Sequence, residues 1–90
     1  MSLLVIRHKM KDFTAWKQAY DAHAGARAAG GLGNGRVTRS VDDPSELVLI
    51  FDVADITKAK SFCASDELKS AMQGAGVIDK PDLYFLNDAD

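Results

Sequence analysis

The 90-residue sequence predicts an α+β domain of ferredoxin-like type, β-α-β-β-α-β, with a four-stranded antiparallel sheet carrying its helices on one face. Three observations carry this. Strand-like and helix-like hydrophobic periods succeed one another in that order. Stretches rich in Gly, Asp, Pro and Ser separate them. The segment ELVLIFDV (46–53) is apolar on both sides. Successive side chains of an extended chain point to opposite faces, so Leu47, Leu49, Phe51 and Val53 share one face and Val48 and Ile50 the other.

Leu3 to Lys9 reads as the first strand, apolar on both faces at its start and polar at its end. Asp12 stands before Phe13 as an N-cap for a helix to about Ala29. At about 100° per residue, Phe13, Trp16, Ala19, Tyr20, His23 and Ala26 share one arc, and Thr14, Lys17, Gln18 and Asp21 the other. The run GGLGNG (30–35) is a helix stop, since Gly accepts the left-handed backbone of a helix end. It follows a helix and precedes a strand, the reverse of what a phosphate-cradling loop requires. Arg36 to Val41 resumes strand pattern with enough polarity to mark an edge. Asp42, Asp43, Pro44 and Ser45 form a tight turn that folds it back on 46–53 as a hairpin. Asp55 caps a second helix to about Ala64, with Ile56, Ala59, Phe62 and Cys63 inward. Ser65 and Asp66 restart or bend it, and Leu68, Ala71 and Met72 continue its stripe until Gly74 and Gly76. Pro81 opens the last strand, Leu83 to Asn87, apolar on both sides.

Ninety residues make a single domain spanning 1–90. Lys and Arg number 11 against 13 Asp and Glu, a net charge of −2 with the signs interspersed. Without a positive patch, nucleic acid is excluded as a partner. The apolar run Leu3 to Ile6 is too short for a signal peptide or a membrane span, so the sequence predicts a cytoplasmic protein with no membrane partner. Its single Cys63 fits a reducing compartment.

Right-handed crossovers put both helices on one face of such a sheet and leave the other bare. An antiparallel sheet with water on that face would alternate apolar and polar, and the first, third and fourth strands do not. Val48, Ile50, two residues of the first strand and two of the last make six apolar side chains there. Each gains roughly 1.5 to 3 kcal/mol on full burial, against about 5 to 15 kcal/mol of net stability for a whole domain. The expected cover is a second copy of the chain, two sheets facing each other either flat or around a cavity.

The segments HKMKDFTAW (8–16), DDPSELVLIF (42–51) and SDELKSAMQGAGV (65–77) resemble the dimeric α/β-barrel superfamily, and within it small proteins grouped with the antibiotic biosynthesis monooxygenase domain. The resemblance covers nearly the whole chain. It implies the fold above, a homodimer through the sheet face, and small-molecule chemistry ranging from cofactor-free oxidation of phenols to isomerisation. Where monooxygenase members carry a Trp near the end of the third strand, this chain has Val53. The Asn, Trp and His set of haem-degrading members is absent, and no cofactor is expected.

His8 and His23 are the candidate catalytic residues, and Trp16, Tyr20, Arg27 and Tyr84 the candidate ligand-binding ones. His8 shares a face with Leu4 and Ile6. On a cavity face its neutral imidazole accepts a proton from an acidic phenol; elsewhere it is a strand-end histidine bonded to backbone or wet. Trp16, Tyr20, His23 and Arg27 form a helical stripe, read either as a wall for a planar anion with Arg27 as bidentate fork or as core packing with Arg27 at the rim. Tyr84 is a second phenol that orients substrate or simply packs. Arg7 needs a partner if it points inward, and Arg36 and Arg39 face opposite ways. Cys63 has no base at helical spacing and reads as a small buried hydrophobe. No C-x-x-C or H-x-x-x-H pair suggests a metal.

Two functions follow. One is a dimeric protein whose cavity binds a planar aromatic or quinone-like molecule and oxidises or cyclises it without a cofactor. The other is a non-catalytic metabolite-binding or scaffold module, whose cavity its own side chains would fill.

Overall fold

The structure is a computed structural model and describes residues 2–89. Its elements run β1 (Ser2–Lys9), α1 (Phe13–Ala22), α2 (Ala24–Ala29), β2 (Leu32–Arg39), β3 (Glu46–Val53), α3 (Ile56–Cys63), α4 (Asp66–Gly74) and β4 (Asp82–Asn87). The sheet order is β2-β3-β1-β4 with every neighbouring pair antiparallel, the expected ferredoxin-like arrangement. β2 is an edge strand and forms the anticipated hairpin with β3.

The helix starts lie where the capping residues put them. The Asp12 carboxylate accepts from the Thr14 amide, that of Asp55 from the Lys58 amide, and the Ser65 hydroxyl from the Leu68 amide. Each satisfies a donor that the first turn leaves free. Two boundaries differ from expectation. The helix over 13–29 is two helices, because the backbone leaves helical geometry at His23 (φ −100°, ψ 14°). Of the stretch GGLGNG only Gly30 and Gly31 end a helix, Gly31 at φ +82°. Residues 32–35 belong to β2, which ends at Arg39 and leaves Val41 exposed.

β2 does not run evenly along β3. Gly33 pairs with Asp52 and Arg36 with Ile50, so Asn34 and Gly35 together oppose the single residue Phe51. This is a β-bulge. Asn34 takes the left-handed conformation (φ 49°) and its side-chain amide donates to Asp52 at 2.7 Å.

Alternation assigns the two sheet faces. Leu4, Ile6 and His8 of β1 and Leu47, Leu49, Phe51 and Val53 of β3 are buried beneath the helices, with Trp16, Leu32 and Ala59 completing that core. On the other face Leu3, Val5, Val48 and Ile50 are half-buried, and Tyr84 and Leu86 are 54% and 44% exposed. Cross-strand pairs Leu3 with Leu86 and Val5 with both Tyr84 and Ile50 join them into one apolar patch. Those are the six side chains counted from the sequence.

At one end of the patch Arg7 donates to three carboxylates, Asp82 at 2.8 Å, Glu46 at 3.0 Å and Asp79 at 3.0 Å. Asp82 and then Glu46 and Asp79 raise its pKa further. Burial alone would raise the Asp79 carboxyl, but the Lys9 amide and the Arg7 guanidinium that donate to it outweigh burial and hold it below the usual carboxylate range. No helix among the described residues is long and apolar enough to cross a membrane.

Candidate functional site

The cavity lies inside the subunit, between the helix layer and the sheet. Its open interior leaves about 70 Å³ for the centre of a water-sized molecule. β1 and β3 supply the floor through Ile6, His8, Leu49 and Phe51, α1 one wall through Trp16 and Tyr20, and α4 the other through Leu68, Met72 and the adjoining Ala75. The apolar stripes of α1 and α4 both contribute to its lining.

His8 is the buried polar residue of the core, 1% exposed. Strand alternation sends it to the helix side with Leu4 and Ile6, and register sets it opposite Leu47. Among the described residues neither ring nitrogen has a hydrogen-bond partner. Burial pushes its pKa below the ordinary histidine value; the nearby Asp79 opposes that shift and Arg7 adds to it. A neutral imidazole presents one donor and one acceptor, and leaving such groups unpaired in an apolar site is unfavourable by about 1 to 3 kcal/mol.

Trp16, 3% exposed, lies beside His8 and heads a row of rings. Phe13 is 5.9 Å from it on one side and Tyr20 4.9 Å on the other, the Trp16 and Tyr20 planes inclined by 19°. Arginines close both ends: Arg39 sits 3.9 Å over Phe13 and Arg27 3.6 Å over Tyr20. Cations over aromatic faces hold the row in place. Arg27 also donates to the Tyr20 carbonyl at 2.5 Å, so one arm of the expected carboxylate fork is already engaged. His23 stands at the mouth, exposed, its Nδ1 donating to the Ala19 carbonyl at 2.9 Å and its Nε2 left as an acceptor in the neutral ring.

The structure therefore brings His8, Trp16, Tyr20, His23 and Arg27 to one cavity. It does not bring Tyr84, which pairs with Val5 and belongs to the bare face. Phe51 and Phe62 line the cavity without having been singled out. Phe51 had a signal, since Leu47, Leu49 and Phe51 alternate on one face. Phe62 had one too, as part of the inward stripe of its helix, although the stripe alone does not say that it meets the cavity. Burial raises the Cys63 thiol pKa, consistent with an inert side chain packed against the core. Among the described residues no group of three or more His, Cys, Asp or Glu is placed to hold a metal ion.

No protein-family model matches the chain, and no curated protein matches it. Solved structures do. One is an antibiotic biosynthesis monooxygenase, with TM-score 0.73, 12% identity and all of both chains covered. A second is SnoaB from Streptomyces nogalater, a cofactor-independent oxygenase, with TM-score 0.71, 14% identity, and 98% of this chain and 94% of that one covered. A third is a conserved protein from Methanosarcina mazei, with TM-score 0.71, 11% identity, and 96% and 91% covered. At these identities the likeness is one of fold: the chain has the fold of the antibiotic biosynthesis monooxygenases that the sequence resembles.

Proposed function

We propose that the protein binds a small planar molecule carrying an acidic hydroxyl, a phenol or hydroxyquinone, and oxidises it with dioxygen and no cofactor. The observation that carries this reading is His8: a buried, unpartnered imidazole at the floor of an open apolar cavity. A ligand hydroxyl would supply the missing partner. With its pKa lowered by burial, the ring is neutral at pH 7 and free to accept the proton. Trp16 and Tyr20 present ring faces to a flat ligand. The fold likeness to a cofactor-independent oxygenase supports the chemistry.

In the reaction, His8 takes the hydroxyl proton and the phenolate gives one electron to dioxygen. The resulting radical and superoxide join in a carbon–peroxide bond. The ring carbon then releases its hydrogen as a proton and its C–H electron pair forms the carbonyl. The O–O bond breaks, and the outgoing oxygen leaves as water, taking both the proton that His8 held and the proton released by the ring carbon. One oxygen atom stays on the product quinone. The apolar lining of the cavity would shield the bound anion from water and keep it reactive.

The bare sheet face supports a homodimer built by apposing two such faces, with the cavities outside the interface. The alternative, a non-catalytic module with its cavity filled by its own side chains, is disfavoured by an open cavity that gathers His8, Tyr20 and His23. The test is oxygen uptake with a panel of phenols and hydroxyquinones, run beside thermal shift. Protein-dependent uptake that His8→Leu abolishes is expected. No uptake and no ligand-dependent rise in Tm would end the proposal.

A further inference from the structure

We infer that the bulged Asn34-Gly35 segment of β2 sets the width of the cavity, with Gly35 as a specificity-determining position although it lines no part of the cavity itself. This rests on the small-molecule reading above. A Cβ built on Gly35 would lie 2.7 Å from the Phe51 ring edge (Cε1) and 2.7 Å from the Tyr20 hydroxyl. A Cβ does not approach a ring carbon or a hydroxyl oxygen that closely, so one side or the other must move.

The strand is held. Leu32 and Gly33 pair with β3 before the bulge and Arg36 to Arg39 after it, and the Asn34 amide is tied to Asp52. The two side chains therefore yield. Tyr20 is confined across its ring faces by Trp16 at 4.9 Å and the Arg27 guanidinium at 3.6 Å. Phe51 is 3% exposed and packed among the core residues. Both line the cavity and Gly35 stands behind them, so the open direction is inward. A regular strand would face Phe51 with one residue. The bulge presents two, Asn34 in the left-handed conformation and Gly35 aimed at the rings, the kind of local re-aiming that bulges provide. The missing side chain at 35 thus holds Tyr20 and Phe51 back against the sheet edge and keeps the cavity wide enough for a fused-ring ligand.

The experiment compares Gly35→Ala with Gly33→Ala, a substitution on the same strand whose Cβ meets nothing within 4 Å. Resorcinol, lawsone and alizarin serve as one-, two- and three-ring probes, with binding read by titration. Gly35→Ala is expected to weaken alizarin by about tenfold or more while leaving resorcinol within about twofold, the scale on which one methyl group acts in an apolar pocket. Gly33→Ala is expected to keep the wild-type ranking, and adding Tyr20→Phe and Phe51→Leu to Gly35→Ala to restore alizarin. Equal weakening of all three probes, or none, overturns the inference and leaves the small-molecule reading standing. Failure of the wild type to bind any of the three overturns both. Should Gly35→Ala not fold, Tyr20→Leu probes the same wall with Gly35 in place. It is expected to favour alizarin over resorcinol more strongly than the wild type does, and an unchanged ranking overturns the inference.

Discussion

The imidazole of His8 and the indole of Trp16 lie 5.8 Å apart, centre to centre, with their planes inclined by 49°. A ligand that reaches the first must touch the second. Trp16 is the chain's single tryptophan, so its fluorescence reports the cavity directly. Binding of a hydroxyquinone is expected to quench that emission, and His8→Leu to weaken the quenching titration by about tenfold or more, as loss of a buried hydrogen-bond partner predicts. An unchanged titration curve for His8→Leu would remove His8 from the site.

Acidification should destabilise the protein through His8. Its folded-state pKa is lowered, so as pH falls below the ordinary value of about 6.5 the unfolded chain takes up a proton that the folded chain refuses. Stability is full above that value and declines below it, until the folded-state pKa is passed. The urea midpoint of the wild type is expected to fall between about pH 7 and about pH 5.5, and that of His8→Leu to stay flatter over the same window. Coincident slopes would show that other groups set the dependence.

Arg7 neutralises a cluster that would otherwise repel itself. Arg7→Met leaves Glu46, Asp79 and Asp82 facing one another, so Tm is expected to drop at neutral pH and low salt. Added salt, or pH near about 4 where carboxylates protonate, is expected to recover part of the loss. A drop that ignores both salt and pH would assign Arg7 a packing role through its stem instead.

Val5 sits at the middle of the bare face, paired with Ile50 on one side and Tyr84 on the other. Sedimentation of the wild type is expected to give twice the 9.7 kDa chain mass. Val5→Glu is expected to return it to one chain while hydroxyquinone quenching of Trp16 persists, because the cavity lies on the opposite face. A wild type that sediments as a single folded chain at micromolar concentration would exclude the dimer.

Trp16 joins the core to the site, and Trp16→Ala should be unfavourable by about 3 to 5 kcal/mol as a buried aromatic truncation. Trp16→Phe preserves most of the volume and is expected to lose far less in a denaturant titration.

The strands were legible in the sequence because short apolar runs are bounded by turn residues. Alternation groups Leu47, Leu49, Phe51 and Val53 on one side of β3 and Val48 and Ile50 on the other, but with both sides apolar it does not say which set meets the helices. Caps at Asp12, Asp55 and Ser65 were legible because a cap acts within a few residues. The break at His23 was not, because the apolar period runs through it into Ala26 and only the backbone changes. Leu32 to Gly35 read as loop by composition, and pairing with β3 drew them into a strand, a tertiary effect stronger than the propensity of two glycines and an asparagine. The face that Tyr84 occupies was not legible for a related reason. Alternation separates Leu83 from Tyr84, but only the register with β1 decides which of them faces the helices. His8 could be placed beside Leu4 and Ile6, while its lack of partners became visible only once the surrounding side chains were in position.

The irregularity in β2 also bears on how separate molecules meet. A sheet margin offers a row of free amide and carbonyl groups onto which a neighbour can add a strand. Along β2 that row is broken in phase at Asn34 and Gly35, so an incoming chain cannot stay in step with it. The far margin, β4, pairs with β1 without any shift and presents its six residues as an even template. Runaway strand-on-strand growth, the first stage of fibre formation, has one usable border on this molecule and not two.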